Sequence, residues 1–287
     1  MGRSEVKYSV VLPAKNEAGA IGETIKKIQH LNMIDEIIVV NDGSTDTTQL
    51  VAESAGAKVI THPYSKGNGA AIKTGARNAS GEIIVFMDAD GQHNPNDILK
   101  LLEKINEGYD LVVGARQKGS QASVGRGVAN KLYNNLATYM SDHKVEDLTS
   151  GFRAVRAEKF KEFIYLLPNG FSYPTTSTMA FFRAGYSVTY VPIHAVKRVG
   201  KSHIHPVKDS VRFFLIIFKI ATLYSPLKMF LPIAVMLFIV ATSWYGYTLY
   251  EFARFTNMSA LLYTGSIMIF LMGLISEQIT ALMYKEK

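Results

Sequence analysis

The stretch FMDADGQHNP, residues 86–95, sets Asp88, Asp90 and Gln92 at every second position directly after an apolar run. Alternate side chains of an extended segment point the same way, so these three predict a common site for one hard cation. An all-oxygen set with open positions suits Mg²⁺ or Mn²⁺ held together with substrate phosphates. A calcium loop of the EF-hand type is excluded, because glycine would be needed where His93 stands and glutamate where Leu99 stands.

A second oxygen-rich stretch is VVNDGSTD, residues 39–46. Ser44 and Asp46 read as caps of a following helix, which leaves Asp42 to hydrogen-bond a base or ribose. KGNGAAIKTG, residues 66–75, puts Gly67 and Gly69 at a helix start. Ile72 occupies the place of the third glycine of GxGxxG, and no GK[ST] ending follows, so a dinucleotide enzyme and a P-loop NTPase are disfavoured.

The elements that must position these residues follow from the pattern between residues 8 and 113. Short apolar runs (YSVVL, EIIVV, AKVI, EIIVFM, YDLVV) alternate with helix-like stretches near 17–30, 46–55, 69–79 and 96–107. Such alternation predicts a parallel α/β sheet with helices on both faces, and ligands then belong at the carboxyl ends of the strands. Helix-like patches near 128–140, 156–166 and 174–185 and a strand at SVTYVP continue the domain to about residue 206.

Beyond that point the composition changes. Met229 to Tyr250 and Phe255 to Ser276 are each 22 residues without a charge, enough to cross a hydrocarbon core of ~30 Å as helices. Their short connector predicts a hairpin with both flanks on one side. Lys197, Arg198, Lys201, Lys208, Arg212, Lys219 and Lys228 precede it, Lys285 and Lys287 follow, and Arg254 alone marks the tip. That asymmetry places the N-terminal part in the cytoplasm. Residues 207–227 read as a basic amphipathic helix in the membrane interface. The net charge of +7 is therefore read as attraction to anionic lipid, with no nucleic-acid partner. The first residues hold too short an apolar run for a signal peptide. Glu277, near the end of the second span, is an intramembrane acid and a functional suspect. The absence of cysteine excludes disulfides and thiolate chemistry.

Read in order, LPAKNE (12–17), VVNDGSTD, KGNG, DADGQ, GAR (114–116), DLTSGFRA (147–154) and RVGKSH (198–203), followed by a two-span hairpin, resemble the inverting family 2 glycosyltransferases that act on polyprenyl phosphates. Dolichyl-phosphate mannose synthases and bacterial undecaprenyl-phosphate glucosyltransferases are of this type. The resemblance implies a GT-A (Rossmann-like) domain over 1–206, an interfacial segment over 207–227 and a two-helix transmembrane hairpin over 228–287. It implies a nucleotide-sugar donor, UDP-linked in preference to GDP-mannose, and a polyprenyl phosphate acceptor.

Residue by residue, the resemblance assigns Pro13, Lys15, Glu17 and Asp42 to the nucleotide, with Lys66 beside them. Asp88, Asp90 and Gln92 would hold the divalent cation on the diphosphate. Arg116, Arg126, Ser150 and Arg153 fall on the acceptor side, and Arg198, Gly200 and Ser202 on a segment closing over the diphosphate. The family commonly has lysine after that serine, where this chain has His203. A lipid phosphate is largely dianionic at neutral pH, so no strong general base is needed, and arginines must bring two anions together. Two other readings stay open. A processive polysaccharide synthase would normally carry a QxxRW-type segment, whereas the one tryptophan, Trp244, lies inside a span. A non-catalytic nucleotide-sugar-binding adaptor would keep the same anchor, and in either case that anchor leaves lipid-facing surface for a homo-oligomer.

Overall fold

The computed structural model describes residues 6–117, 124–170, 172–194, 218, 222 and 224–283, with 124–130 as backbone only. The chain divides into two compact units, 1–203 and 204–287.

In the first unit, β1 (Tyr8–Ala14), α1 (Ile21–Gln29), β2 (Glu36–Asn41), α2 (Thr48–Ser54), β3 (Lys58–Thr61), α3 (Asn68–Asn78), β4 (Ile83–Phe86), α4 (Asp97–Asn106) and β5 (Leu111–Arg116) alternate as the sequence predicts. They continue into α5 (Val124–Ser141), β6 (Arg153–Arg156), α6 (Ala157–Glu162), α7 (Tyr173–Arg183) and β7 (Val188–Ile193). Strand order is β3-β2-β1-β4-β6-β5-β7. All pairings are parallel except those of β6, which runs antiparallel to both β4 and β5. The pairings among β1, β2, β3 and β4 are parallel, as the pattern over residues 8–113 predicts, and the antiparallel β6 lies outside that span. The four-residue strand RAVR, flanked by arginines, carries too little apolar pattern to be read as a strand.

Both faces of the sheet are covered, which is why its strands read as continuous apolar runs. Val10 and Leu12 of β1 and Val85 of β4 pack with Ile21, Ile25 and Ile28 of α1 and Ile98, Leu101 and Leu102 of α4. The alternate residues face the other way. Val11 meets α3 so closely that a Cβ on Gly75 would lie 2.2 Å from its Cγ1. Phe86 packs against Phe160 of α6, ring centroids 4.8 Å apart, and Tyr173 of α7 at 6.4 Å. Each such fully buried side chain contributes about 1.5–3 kcal/mol of apolar transfer free energy.

The topology sets the place of the site. The chain steps from β1 to β2 and β3 on one side, then crosses back to β4 on the other side of β1. Loops leaving the carboxyl ends of β1 and β4 diverge there and open a crevice, the position where doubly wound sheets bind ligands.

The second unit is a helical hairpin of α8 (Pro226–Phe252) and α9 (Asn257–Met283), turning at Ala253 in the left-handed region with φ 48°. Each helix has 27 residues, long and apolar enough to cross a membrane. Their most apolar windows are only 11% and 17% buried, so most of this apolar surface faces outward and does not form a water-soluble core. The helices meet along a seam of small residues seven apart: Ala234, Ala241 and Thr248 on α8, and Ser259, Ser266, Gly273 and Thr280 on α9. A strict seven-residue repeat keeps one face toward the partner in a left-handed pair, and small side chains let the backbones approach. Ser266 Oγ donates to the Ala234 carbonyl at 2.8 Å.

Glu277 acts at one end of this hairpin. Its carboxylate accepts the Leu227 N–H at 3.3 Å, and Thr280 donates to the Thr222 carbonyl at 3.1 Å. The first turn of α8 has N–H groups without intrahelical partners, so the intramembrane acid caps the neighbouring helix. The amphipathic reading of 207–227 falls mostly outside the described residues.

Candidate active site

The crevice is a cleft of about 420 Å³. Pro13, Lys15 and Glu17 line it from the loop after β1, Asp42 from the end of β2, Ser65, Gly67 and Asn68 from the approach to α3, and Asp88 and Asp90 from the loop after β4. The sequence thus identifies six of its residues, drawn from three strand ends, and the fold brings them together.

Asp88 and Asp90 share the cleft by a different route from the one the sequence suggests. β4 ends at Phe86, Ala89 and Asp90 form a turn, and Gly91 takes a left-handed φ of 73°. Asp90 accepts the Gln92 backbone N–H at 3.1 Å, which tightens that turn. Gln92 consequently borders a separate depression of about 460 Å³ with Lys27, His30 and His93. The expected three-ligand alternation is corrected to a pair of carboxylates.

Although 39% of the Asp88 side chain is open to the cleft, it lies at the cleft floor. Burial raises its carboxyl above the ordinary carboxylate range, and the Asp90 charge pushes the same way, against His93 and Arg116. His93 Nε2 is 3.9 Å away, and burial lowers its imidazole pKa against the pull of Asp88 and Asp90. Its ring stacks on Phe152 at 5.0 Å. Two carboxylates so placed, backed by the buried and unpartnered Asn68 Oδ1, fit a hard divalent cation. Among the described residues, no group of three or more His, Cys, Asp or Glu side chains forms a fuller metal set.

Asp42 is 4% exposed, and its carboxylate is already engaged. Oδ1 accepts from His62 Nδ1 at 2.7 Å and the Lys66 N–H at 2.8 Å; Oδ2 accepts from Ser65 Oγ at 2.8 Å and the Gly67 N–H at 2.9 Å. Burial opposes ionisation, but these four bonds prevail and lower the carboxyl to about 2. The expectation that Asp42 is free to read a base or ribose is corrected: it fixes the 62–67 loop against the end of β2. Lys66 contributes its N–H here, while its ammonium lies over the exposed Tyr64 ring, 5.7 Å from the centroid. Lys15 Nζ donates to Ser65 Oγ at 3.0 Å. The loops after β1 and β2 are also joined, through Asn16 N–H to Ser44 Oγ at 3.0 Å and Glu17 N–H to Thr48 Oγ1 at 2.8 Å.

The glycines of KGNG serve packing. A Cβ on Gly69 would lie 2.1 Å from the Pro168 carbonyl oxygen. The Gly69 and Ala70 N–H groups donate to Gly170 and Asn169 carbonyls, so the start of α3 is satisfied within the chain.

Arg116, at the end of β5, is held by Asp147. Nε donates to Oδ2 at 2.8 Å, Nη2 to Oδ1 at 2.9 Å and to Thr149 Oγ1 at 2.6 Å, and the Arg116 N–H to Oδ2 at 3.2 Å. Burial opposes both charges, yet the pairing lowers the Asp147 carboxyl and raises the Arg116 guanidinium from their ordinary values. Arg153 and Ser150 differ from expectation. Arg153 is 0% exposed; Nη1 donates to Pro174 O, Ser177 Oγ and Thr178 Oγ1, and Nη2 to Ser150 O. Ser150 is 1% exposed. Neither is presented to an acceptor phosphate. Arg153 instead secures the turn at Gly151, where a Cβ would lie 3.1 Å from Tyr173 Oη and 3.5 Å from Asp88.

Arg126 lies on α5 with its side chain outside the described atoms. Arg198, Gly200, Ser202 and His203 lie outside the described residues. Sequence reasoning missed His62, Asn68, His93 and Asp147. Of these, Asn68, His93 and Asp147 carried a signal, since each lies in or beside one of the motifs quoted above.

Comparison with known proteins agrees with this architecture. The family Glycosyl transferase family 2 matches residues 9–164, and GtrB C-terminal hairpin matches residues 225–282. A dolichyl-phosphate hexose transferase of Haloferax volcanii is 30% identical over 200 residues, 69% of this chain and 86% of that one. An undecaprenyl-phosphate 4-deoxy-4-formamido-L-arabinose transferase of Proteus mirabilis is 33% identical over 162 residues, 52% of this chain and 49% of that one. The glucosyl-3-phosphoglycerate synthase of Mycobacterium tuberculosis, solved with Mn²⁺ and UDP-glucose, superimposes with a TM-score of 0.59 at 26% identity over 75% of this chain and 78% of that one. The chain belongs to glycosyl transferase family 2 and is a glycosyltransferase with a GtrB-type C-terminal hairpin.

Proposed function

We propose that the enzyme transfers a sugar from a nucleotide-diphosphate sugar to a polyprenyl phosphate at the cytoplasmic face of the membrane, with inversion at the anomeric carbon. UDP-sugars are the favoured donors and GDP-mannose the alternative. The observation that carries the reading is the Asp88–Asp90 pair at the topological switch point of a chain that also carries a membrane hairpin. The polyprenyl relatives support the acceptor.

A divalent cation, Mg²⁺ or Mn²⁺, bound by Asp88 and Asp90 would supply a Lewis acid for the charge that grows on the departing diphosphate. The chain's own residues do the rest. Pro13, Lys15 and Glu17 wall the nucleotide end of the cleft, and Asp42 holds the 62–67 loop that closes that wall. The acceptor phosphate is the nucleophile and arrives largely ionised, so positioning and charge balance replace general-base catalysis. Arg116 and Arg126 provide that balance, and the segment with Arg198 and Ser202 completes the diphosphate side. The basic 207–227 segment and the hairpin keep the enzyme at the surface where a polyprenyl phosphate headgroup resides.

Membranes containing the enzyme, given radiolabelled UDP-glucose or GDP-mannose with undecaprenyl phosphate, should yield a mild-acid-labile glycolipid, lost in Asp90→Ala. Absence of lipid product with every nucleotide sugar tried, or an Asp90→Ala variant with wild-type turnover, would overturn the reading.

A further inference from the structure

We infer that Asp147 is a positioning residue that aims Arg116 at the acceptor phosphate and takes no proton during transfer. The inference rests on the function proposed above and names the residue on which its acceptor side depends.

The argument is a count of donors. An arginine side chain offers five N–H groups: one on Nε, two on Nη2 and two on Nη1. In Arg116 the Nε–H goes to Asp147 Oδ2, and the two Nη2 hydrogens go to Asp147 Oδ1 and Thr149 Oγ1. Both remaining donors are on Nη1, which no described residue engages, on a side chain that is 28% exposed. Arg116 is also close enough to Asp88 for their charges to act on one another. The guanidinium thus has one edge fixed in the protein and one nitrogen that no described residue engages, within electrostatic reach of Asp88.

Asp147 is unsuited to accept a proton in this arrangement. Its side chain is 7% exposed. Oδ2 accepts from the Arg116 backbone N–H and Nε–H, while Oδ1 accepts from Nη2, the Thr149 N–H at 3.2 Å and Thr149 Oγ1 at 3.2 Å. Every lone pair suited to a proton is directed at a donor of the chain. Bidentate pairing of this kind fixes the plane of the guanidinium as well as its place. An asparagine would keep one acceptor and set an amide N–H₂ against the other Arg116 donor, turning the fork.

A double-mutant cycle on the full-length enzyme in detergent separates positioning from independent catalysis. The variants are D147N, R116Q and D147N/R116Q. The probes are undecaprenyl phosphate as acceptor, with whichever of UDP-glucose or GDP-mannose the wild type turns over. D147N should raise the acceptor KM by about tenfold and leave the donor KM within about twofold, and the double variant should be no worse than R116Q alone. An unchanged acceptor KM, an equal rise in donor KM, or a D147N loss that multiplies onto that of R116Q would overturn the inference. Thermal stabilisation by farnesyl phosphate gives the same cycle without turnover. Binding with the expected coupling but no sugar transfer would refute the proposed activity and leave this assignment standing; no stabilisation of the wild type would refute the assignment. Should D147N fail to fold, T149V removes only the hydroxyl shared by Asp147 and Arg116, and it should raise the acceptor KM in the same direction; an unchanged KM would count against the role.

Discussion

At the scale of single residues, charged groups in this domain divide between those that shape the cleft and those left open to a ligand. Asp42 shapes it. With its carboxyl lowered from 3.8 to about 2, the ionised form contributes about 2 kcal/mol to folding. Because the folded value is the lower one, that contribution is complete above about pH 4 and is lost as pH falls toward 2. Asp42→Asn should remove this acid-dependent increment, so urea midpoints of wild type and variant should converge as pH is lowered from 5 to 3. Asp42→Ala should cost more, about 3 kcal/mol or above, since His62, Ser65, Lys66 and Gly67 each lose their acceptor. A variant as stable as wild type at pH 7 would show the network to be incidental. Arg153 is the same kind of residue, and a sequence cannot distinguish it from Arg116. Both stand beside polar motifs at strand termini, yet one begins the antiparallel β6 and is enclosed while the other ends β5 and stays partly open. Removing Arg153 as Arg153→Met should destabilise by about 3 kcal/mol, read by thermal unfolding, because four acceptors lose their donor.

At the scale of elements, the sequence was legible wherever period and length were strong. Five strands, four helices between them and both apolar helices fall where the pattern puts them, because strands buried on two faces need unbroken apolar runs. What the pattern could not show depends on packing between distant segments. β6 is four residues long and is defined by its neighbours β4 and β5. The DADGQ segment reads as extended, but Gly91 permits a left-handed turn that separates Gln92 from the two aspartates. The glycines at the start of α3 read only as a helix start, whereas carbonyls of residues 168–170 occupy the space next to Gly69. Gly69→Ala should therefore disrupt the packing of α3 rather than act on the donor alone: a Cβ 2.1 Å from a backbone oxygen forces displacement, and about 2–3 kcal/mol of stability should be lost. Denaturation with and without nucleotide checks this, since a loss confined to the nucleotide-bound form would point back to a ligand role.

At the scale of the whole molecule, a soluble-type α/β unit and an apolar hairpin occur in one chain, and each has its own internal logic. The hairpin is held by small residues at seven-residue spacing, by Ser266 on Ala234, and by Glu277 capping the start of α8. Gly273→Leu should open this seam, as a Cβ at that position already lies 2.9 Å from Phe230 Cβ; a cost of about 1–3 kcal/mol should appear as lower thermal stability in detergent. The spans themselves were plain in the sequence, whereas the capping role of Glu277 was not, since it needs residue 227 beside residue 277. For the first unit, we propose that Asp88 and Asp90 hold a cation on which nucleotide-diphosphate binding depends. Calorimetric titration of the full-length enzyme with UDP and GDP, in Mn²⁺ and then in EDTA, tests it for wild type and Asp90→Asn. One nucleotide should bind wild type in Mn²⁺ about tenfold or more tightly than in EDTA, a difference of about 1.4 kcal/mol or more, and Asp90→Asn should bind weakly in both. Equal affinity with and without the metal, or an Asp90→Asn variant that keeps the Mn²⁺-dependent gain, would contradict the account.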